Sequence, residues 1–354
     1  MRFQAPASTL ADAVGAASRA VRGRSSVPIL ECLMVIADDG RLSFVGTDMD
    51  SEVCATCPDA SVSSVGSCCV SARLLKDFLG HVGGLVSVSL DNNILTISTG
   101  RSRIDLPTMD PGAFPRFDVG EAPHEVSAEA FSFCLPFCGT EEAKYYLMGV
   151  NFSPSGACGT NGYRLAYDRE ATAPISATIP TGAAPLVAAI KGARLFVGGA
   201  TWRAEGENIR VAGRLLGGDY PDWPRLAIHG PKVAEIHADG LHDAVATAMV
   251  GCDDKSNALM ISGADEEIVV RPERGVRVDA SCDAEVFVPF GGCMNGRYLL
   301  SALKALSGKA LEATAADGVV HLCVAGDAGR GIFIYGIRSA EDNWPKSSVK
   351  AGAA

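Results

Sequence analysis

Four groups of residues in this sequence have the types that do chemistry. Asp48, Asp50 and Glu52 place carboxylates at every second position, and such pairs can serve as acid and base. Cys54-Ala-Thr-Cys57, with Cys68-Cys69 close behind, offers four thiols to a metal ion. His237 and His242 stand five apart across a helix start, and Gly291-Gly292 with Gly296 has the glycine content of an anion-cradling loop. Each fails on geometry. Ser51 to Cys57 reads as a strand, where residues three apart face opposite sides, so the thiols diverge. The same alternation puts the three acids on one exposed face, a solvated edge. Five is not a metal-binding helical spacing for histidines, and no strand feeds a basic helix at the glycines. Nor do the GxxxxGK[ST], GxGxxG, HExxH or GxSxG patterns occur.

A different kind of chemistry is suggested by Tyr145 to Asp168, YYLMGVNFSPSGACGTNGYRLAYD. Met148, Val150 and Phe152 alternate as on a half-buried strand opened by Tyr145 and Tyr146, and Pro154-Ser-Gly156 turns the chain. Thr160-Asn161-Gly162 is a second tight turn. It presents Tyr163, Arg164 and Leu165 side by side, an aromatic, a cation and an aliphatic suited to gripping a peptide.

The elements around this stretch form a series. Leu10, Val14, Ala17 and Val21 at helical spacing, after Ser8-Thr9 as the cap, predict a first helix ending near Gly23. Hairpin strands follow at Leu33–Ile36 and Leu42–Val45, turned by Asp38-Asp39-Gly40, then a strand at Ser51–Cys57. A second helix spans Ser71–Val82, and three strands lie between Val86 and Leu106. A proline-punctuated passage over 107–125 reads as a linker. The same order then recurs, with helices at Ser127–Cys138 and Thr181–Lys191, a second linker around Pro221, Pro224 and Pro231, and helices at Leu241–Val250 and Asn295–Leu306 with strands after each. Three rounds at a period of about 115 residues make an internal repeat of whole domains. The class is α+β: three repeated domains, each two helices with antiparallel sheets, over 1–122, 123–231 and 232–338, followed by a flexible tail, 339–354. Such a repeat implies a quasi-symmetric assembly, two chains closing a ring with helices inside.

Composition narrows the setting. The 354 residues suit two or three domains, and 47% hydrophobic content supplies packed cores. No apolar run reaches the roughly 20 residues of a membrane span, and Arg2, Asp12 and Arg19 interrupt any signal-like core, which places the chain in the cytoplasm. There the 12 cysteines are expected reduced, as small buried hydrophobes. A net charge of −10 excludes a generally basic surface but leaves room for a local basic face. The histidines lie mainly at loops and element ends. No cofactor and no metal are expected, and no catalytic residue is assigned.

On Pro28-Ile-Leu with Gly46-Thr-Asp48, GRSRIDLPTMDP at 100–111, Tyr145-Tyr-Leu147 with Gly149, Thr160 with GYRLA, and GGDYPDWPR at 217–225, the chain resembles the bacterial DNA polymerase III beta subunits, or sliding clamps, over residues 1–338. The resemblance implies three similar domains, with two chains head to tail in a ring whose helices line a channel for double-stranded DNA. It implies a processivity factor, not an enzyme, with itself, DNA, a polymerase, a clamp loader and repair proteins as partners. DNA contacts carried over by position are Arg24, Arg73, Lys144, Tyr145 and Tyr146. A pocket for linear peptide motifs matches Leu147, Thr160, Gly162, Tyr163, Arg164, Leu165, Pro221, Arg225 and Leu226, with Asn295, Tyr298, Phe333, Tyr335, Gly336, Ile337 and Arg338 from the third domain. The seam between chains matches Arg101, Arg103, Ile104, Leu106, Val250 and Gly251.

There are departures from the family pattern. Its common Met-Pro-Met-Arg-Leu ending is replaced by Tyr335-Gly-Ile-Arg338 and a further tail. Arg271, Arg274 and Arg277 dilute the acidic edge expected to face Arg101 and Arg103. Gly251 stands where an aliphatic side chain is expected, and Lys191 is almost alone as a cation on the second domain's helices. These leave a second reading: a paralogue that binds clamp-motif peptides without stable loading on DNA, as a platform or decoy.

Overall fold

The computed structural model describes residues 1–117, 122–227, 230–253, 257–339 and 342–346. Strand and helix follow one another in an order that repeats three times. Each round opens with a strand leading straight into a helix, continues through a meander of strands to a second helix, and closes with three strands. The opening pairs are Arg2–Pro6 with Ala7–Ala17, His124–Val126 with Ala128–Cys134, and Lys232–His237 with Ala238–Met249. The second helices are Ala72–Leu79, Ala184–Ala188 and Gly296–Ala305. The strand ladders are antiparallel throughout, as the α+β reading requires.

The chain packs as two units, residues 1–128 with 182–215 and residues 129–181 with 216–354. In the first, Ala7–Ala17 and Ala72–Leu79 pack on a five-stranded sheet built on Arg2–Pro6 and on an eight-stranded sheet. Leu10, Val14 and Ala17 recur every three or four residues on one face of Ala7–Ala17, and Leu75 and Leu79 do so on Ala72–Leu79. Both stripes bury against Phe3, Val35, Phe44, Val88, Leu95 and Ile97. Arg73 and Lys76 are left on the exposed side of their helix.

The second unit is a twelve-stranded sheet on which Ala238–Met249 pairs with Gly296–Ala305. In both units the last strand of one round joins the preceding round. Ile209–Arg214 pairs with Ser51–Cys57, and Asp327–Tyr335 pairs with Arg164–Asp168.

Local expectations are corrected in several places. Pro6, not Ser8 or Thr9, precedes the first helix, and no side chain caps it; Thr9 Oγ1 instead donates back to Pro6 O at 3.1 Å. That helix stops at Ala17 and continues as one 3₁₀ turn to Ala20, short of Gly23. The middle helices are shorter than 127–138 and 181–191, because Pro136 interrupts the one and Pro185 and Gly192 bracket the other. Tyr145 and Tyr146 lie in a 3₁₀ segment, Glu142–Leu147, and the strand begins only at Gly149. A side chain at Gly149 would come within 2.4 Å of Ile179 O, so the neighbouring strand dictates that glycine. Gly291 and Gly292 belong to the strand Phe290–Asn295, not to a loop, and against expectation that strand does feed directly into a helix carrying cations, Gly296–Ala305 with Arg297 and Lys304.

The three acids do not share an exposed face. Asp48 caps a turn, accepting from Asp50 N and Ser51 N, which breaks the alternation. Glu52 is only 2% exposed. Its carboxylate accepts Arg116 Nε at 3.0 Å, Arg116 Nη2 at 3.2 Å and Phe117 N at 3.1 Å. Arg116 and Phe117 of the proline-rich passage are therefore pinned to the sheet, with Phe114 buried beside them. His321 is likewise buried, its ring 4.3 Å from Phe333 and its Nε2 3.0 Å from Tyr167 Oη.

Within the tail, residues 342–345 are packed. Asn343 bridges Gly291, Asp342 Oδ1 accepts from Cys293 N, and Trp344 stacks on Phe290 over the bare backbone of Gly292. Residues 347–354 lie outside the described residues.

Candidate functional site

The groove around Tyr163 begins with a turn that sequence dictates. Asn161 Oδ1 accepts Tyr163 N at 3.0 Å and Arg164 N at 3.1 Å, the side-chain mimic of a backbone turn that asparagine favours. Thr160 Oγ1 accepts Gly162 N at 3.0 Å and donates to Arg164 O at 2.7 Å. Between them Gly162 takes φ +89°, open to glycine at no steric cost. The turn thus fixes where Tyr163 and Arg164 project.

Tyr163 is half exposed and stacks on Tyr298, with ring centroids 6.4 Å apart and planes 22° apart. Asn295 holds Tyr298 in place by capping the Gly296–Ala305 helix, its Oδ1 accepting Arg297 N and Tyr298 N. Arg164 lies between two rings, its Cζ 4.8 Å from the centroid of Tyr298 and 5.1 Å from that of Phe137. Its Nη2 donates to Pro136 O at 2.7 Å and its Nη1 to Ser301 Oγ. Burial presses its pKa below the usual guanidinium value, yet the group stays charged at any working pH.

The floor is apolar. Leu165 and Phe333 face each other across the strand pairing and pack with Cys158, Tyr167, Trp223 and Val319. Leu147 and Thr160 are buried as well, so these four shape the groove from beneath instead of lining it openly. Tyr335 closes one side: its N donates to Tyr163 O at 3.0 Å and its hydroxyl to Leu226 O at 2.7 Å. Leu226 and Ile337 are exposed apolar side chains at this rim, with exposed Arg338 and Arg225, which pairs with Asp222 at 2.7 Å. Pro221 is half buried just before the short helix Trp223–Leu226, and Gly336 N donates to Gly318 O. A floor of aliphatic and aromatic groups with cations at the edge can seat an extended segment carrying one large apolar residue. Trp223 and Phe137, which the sequence did not mark for this site, supply its floor and the second face of Arg164. Trp223 stands in the quoted GGDYPDWPR stretch; Phe137 gave no signal, being one apolar residue among several.

Lys144 pairs with Glu141 at 3.3 Å, and its Nζ lies 5.7 Å from the centroid of Tyr163. Tyr145 is exposed and meets Tyr146 edge-on at 6.0 Å. Arg24 is exposed in the other unit, as is Arg73, which sits 4.0 Å from Asp77. Arg101 is exposed, Arg103 pairs with Asp105 at 3.1 Å, and Ile104 is half buried. Leu106 belongs to the first unit's core and is closed to a partner. Val250 is 85% exposed, whereas Gly251 is buried. A side chain at Gly251 would stand 2.4 Å from Val276 O, so this glycine answers to its own unit's packing and not to a lost seam contact.

Cys54 and Cys57 lie on opposite faces of their strand, and burial pushes the Cys68 and Cys69 thiols to about 12. Among the described residues no helix is long and apolar enough to cross a membrane.

Residues 1–118 match the family model described as DNA polymerase III beta subunit, N-terminal domain. The beta sliding clamp of Salmonella typhimurium is 25% identical over 330 residues, 84% of this chain and 88% of that protein. That of Caulobacter vibrioides is 26% identical over 358 residues, 90% of this chain and 94% of its own. Among solved structures, the DNA polymerase sliding clamp of Pseudomonas aeruginosa superposes with a TM-score of 0.87 at 17% identity, over 96% of this chain and all of that one. The Caulobacter crescentus pol III beta structure does so with a TM-score of 0.84 at 23% identity, over 96% of this chain.

Proposed function

We propose that this chain, a divergent member of the DNA polymerase III beta subunit family, is a DNA polymerase processivity factor: a sliding clamp that encircles duplex DNA as a head-to-tail pair and tethers its clients through the Tyr163/Arg164 groove. The threefold order of strands and helices supports three domains over 1–122, 123–231 and 232–338. The observation that carries the reading is the groove itself. Arg164, Tyr163 and Tyr298, brought together from the second and third rounds, form a preordered apolar and cationic seat in a fold matched over 96% of its length.

On this reading the chain does no chemistry of its own and works in the cytoplasm. It holds DNA by phosphate contacts that carry no sequence information, so retention falls with salt. Arg24, Arg73, Lys144, Tyr145 and Tyr146 are the contacts proposed. The partners are a second copy, double-stranded DNA, and polymerase, loader and repair proteins bearing linear motifs.

A second reading, a paralogue that binds such motifs without stable loading, is favoured by one observation: Lys144 and Arg73 are each matched by a neighbouring acid on a chain of net charge −10. Sedimentation at several protein concentrations separates the two. The clamp reading predicts a species of twice the chain mass, and a strict monomer at every concentration favours the paralogue.

A further inference from the structure

The turn that builds the Tyr163 groove is made twice. In the first round Thr47 Oγ1 accepts Met49 N at 3.1 Å and donates to Ser51 O at 2.8 Å, as Thr160 Oγ1 does with Gly162 N and Arg164 O. Asp48 Oδ1 accepts Asp50 N and Ser51 N, as Asn161 Oδ1 accepts Tyr163 N and Arg164 N. Met49 takes φ +78° where Gly162 takes +89°.

The neighbouring strand repeats too. Arg214 N donates to Asp50 O at 3.2 Å, as Tyr335 N does to Tyr163 O at 3.0 Å. Leu215 N donates to Ala200 O where Gly336 N donates to Gly318 O. Position for position, Glu52 stands where Leu165 stands, and Arg116 with Phe117 closes over it where Trp223 closes over Leu165.

The repeated frame opens onto a cavity of about 480 Å³ within the first unit, lined by Met49, Pro115, Arg116, Phe117 and Arg214 among ten residues. Met49 is 56% exposed in a left-handed conformation that a non-glycine residue adopts at a cost. Arg214 stacks on Phe117 with Cζ 5.6 Å from the ring centroid. None of the ten lining residues is acidic, and the nearby carboxylate of Glu52 is buried and occupied by Arg116 and Phe117. The cavity is therefore apolar at Met49, Pro115 and Phe117 and cationic at Arg214, while the guanidinium of Arg116 is held by Glu52.

We propose that this cavity is a second docking site for an extended peptide segment, one that carries a large apolar side chain next to carboxylates. The inference rests on reading the Tyr163 groove as a peptide site, since it is the repetition of that frame which marks the cavity as more than a surface hollow. The two sites differ in selectivity. The first stacks an apolar residue on tyrosines, whereas the second offers Arg214 beside the Arg116–Glu52 ion pair and requires acid in its ligand.

The test is fluorescence anisotropy with a labelled seven-residue peptide containing one Phe and two Asp, titrated against the full chain and two double variants. Tyr163→Ala/Arg164→Ala closes the first groove. Met49→Gly/Arg214→Glu alters the second, and glycine suits the +78° position, so thermal melts verify that it folds. Two peptides are expected per chain, one after the first pair of changes, with the remaining one weakened at least tenfold by adding the second pair. Binding that survives in the first double variant but is untouched by Met49→Gly/Arg214→Glu overturns the proposal, as does complete loss of binding in Tyr163→Ala/Arg164→Ala. If instead the first double variant changes nothing while the second abolishes binding, the Tyr163 reading fails and the second site stands.

Discussion

Arg164 and Tyr298, 134 positions apart in sequence, meet face to face with the guanidinium carbon 4.8 Å from the ring centroid. Their contact joins the second round of the fold to the third, and Tyr163 extends it outward as the exposed end of the same stack. The groove is thus preorganised, and a ligand loses little free energy in ordering it.

Truncation of this stack tests the groove. Tyr163→Ala and Arg164→Ala are each expected to weaken binding of a Leu- or Phe-containing client peptide by about tenfold or more, roughly 1.4 kcal/mol per tenfold. Tyr163 is half exposed, so its removal leaves the melting temperature unchanged. Arg164 also holds Pro136 O and Ser301, so its removal lowers stability by about 1 kcal/mol as well. Calorimetric titration beside thermal melts checks both, and undiminished binding in both variants counts against the groove.

The Arg116–Glu52 pair makes a stability prediction with a definite order. Arg116→Ala leaves a carboxylate only 2% exposed without its cation, at a cost of about 3 kcal/mol. Glu52→Gln keeps an acceptor for Phe117 N and removes the charge, and so costs less. Urea titrations that place the two variants the other way round would contradict the buried-carboxylate account.

At the proposed seam, Val250 and Gly251 separate sharply. Val250→Asp alters an 85% exposed side chain, so the monomer keeps its stability while self-association weakens, read by sedimentation. Gly251→Ala forces a methyl to 2.4 Å from Val276 O and is expected to cost about 2 kcal/mol in the monomer itself. A neutral Gly251→Ala melt would show that the seam, and not the unit's packing, sets this position.

What could be read beforehand depended on how local its cause was. The Asp38-Asp39-Gly40 turn carries its own chemistry, and the strands on either side lie where the sequence placed them. The Thr160–Arg164 turn was legible for the same reason, since threonine and asparagine satisfy it from within. By contrast, Ser61–Ser64 and His124–Val126 are strands only because a neighbour pairs with them, and nothing in four or three residues announces that. Glu52 alternates like a surface acid and is buried by Arg116, 64 positions away. Trp344 docks on Gly292 although its own segment has the composition of a loose end. The stacking of Arg164 on Phe137 and Tyr298 likewise needed three distant stretches brought into one place, and only the resemblance to a known family had gathered Tyr298 with Arg164.

The central claim is topological, and retention on DNA circles tests it most directly. The chain is incubated with nicked circular plasmid and the clamp loader of its own cell, passed through a sizing column, and compared with the same sample after the plasmid is cut once. Co-elution with the circle that is lost on linearisation is the result expected of a closed ring. Absence from the circular DNA, in a preparation that still binds client peptide at the Tyr163 groove, would contradict it.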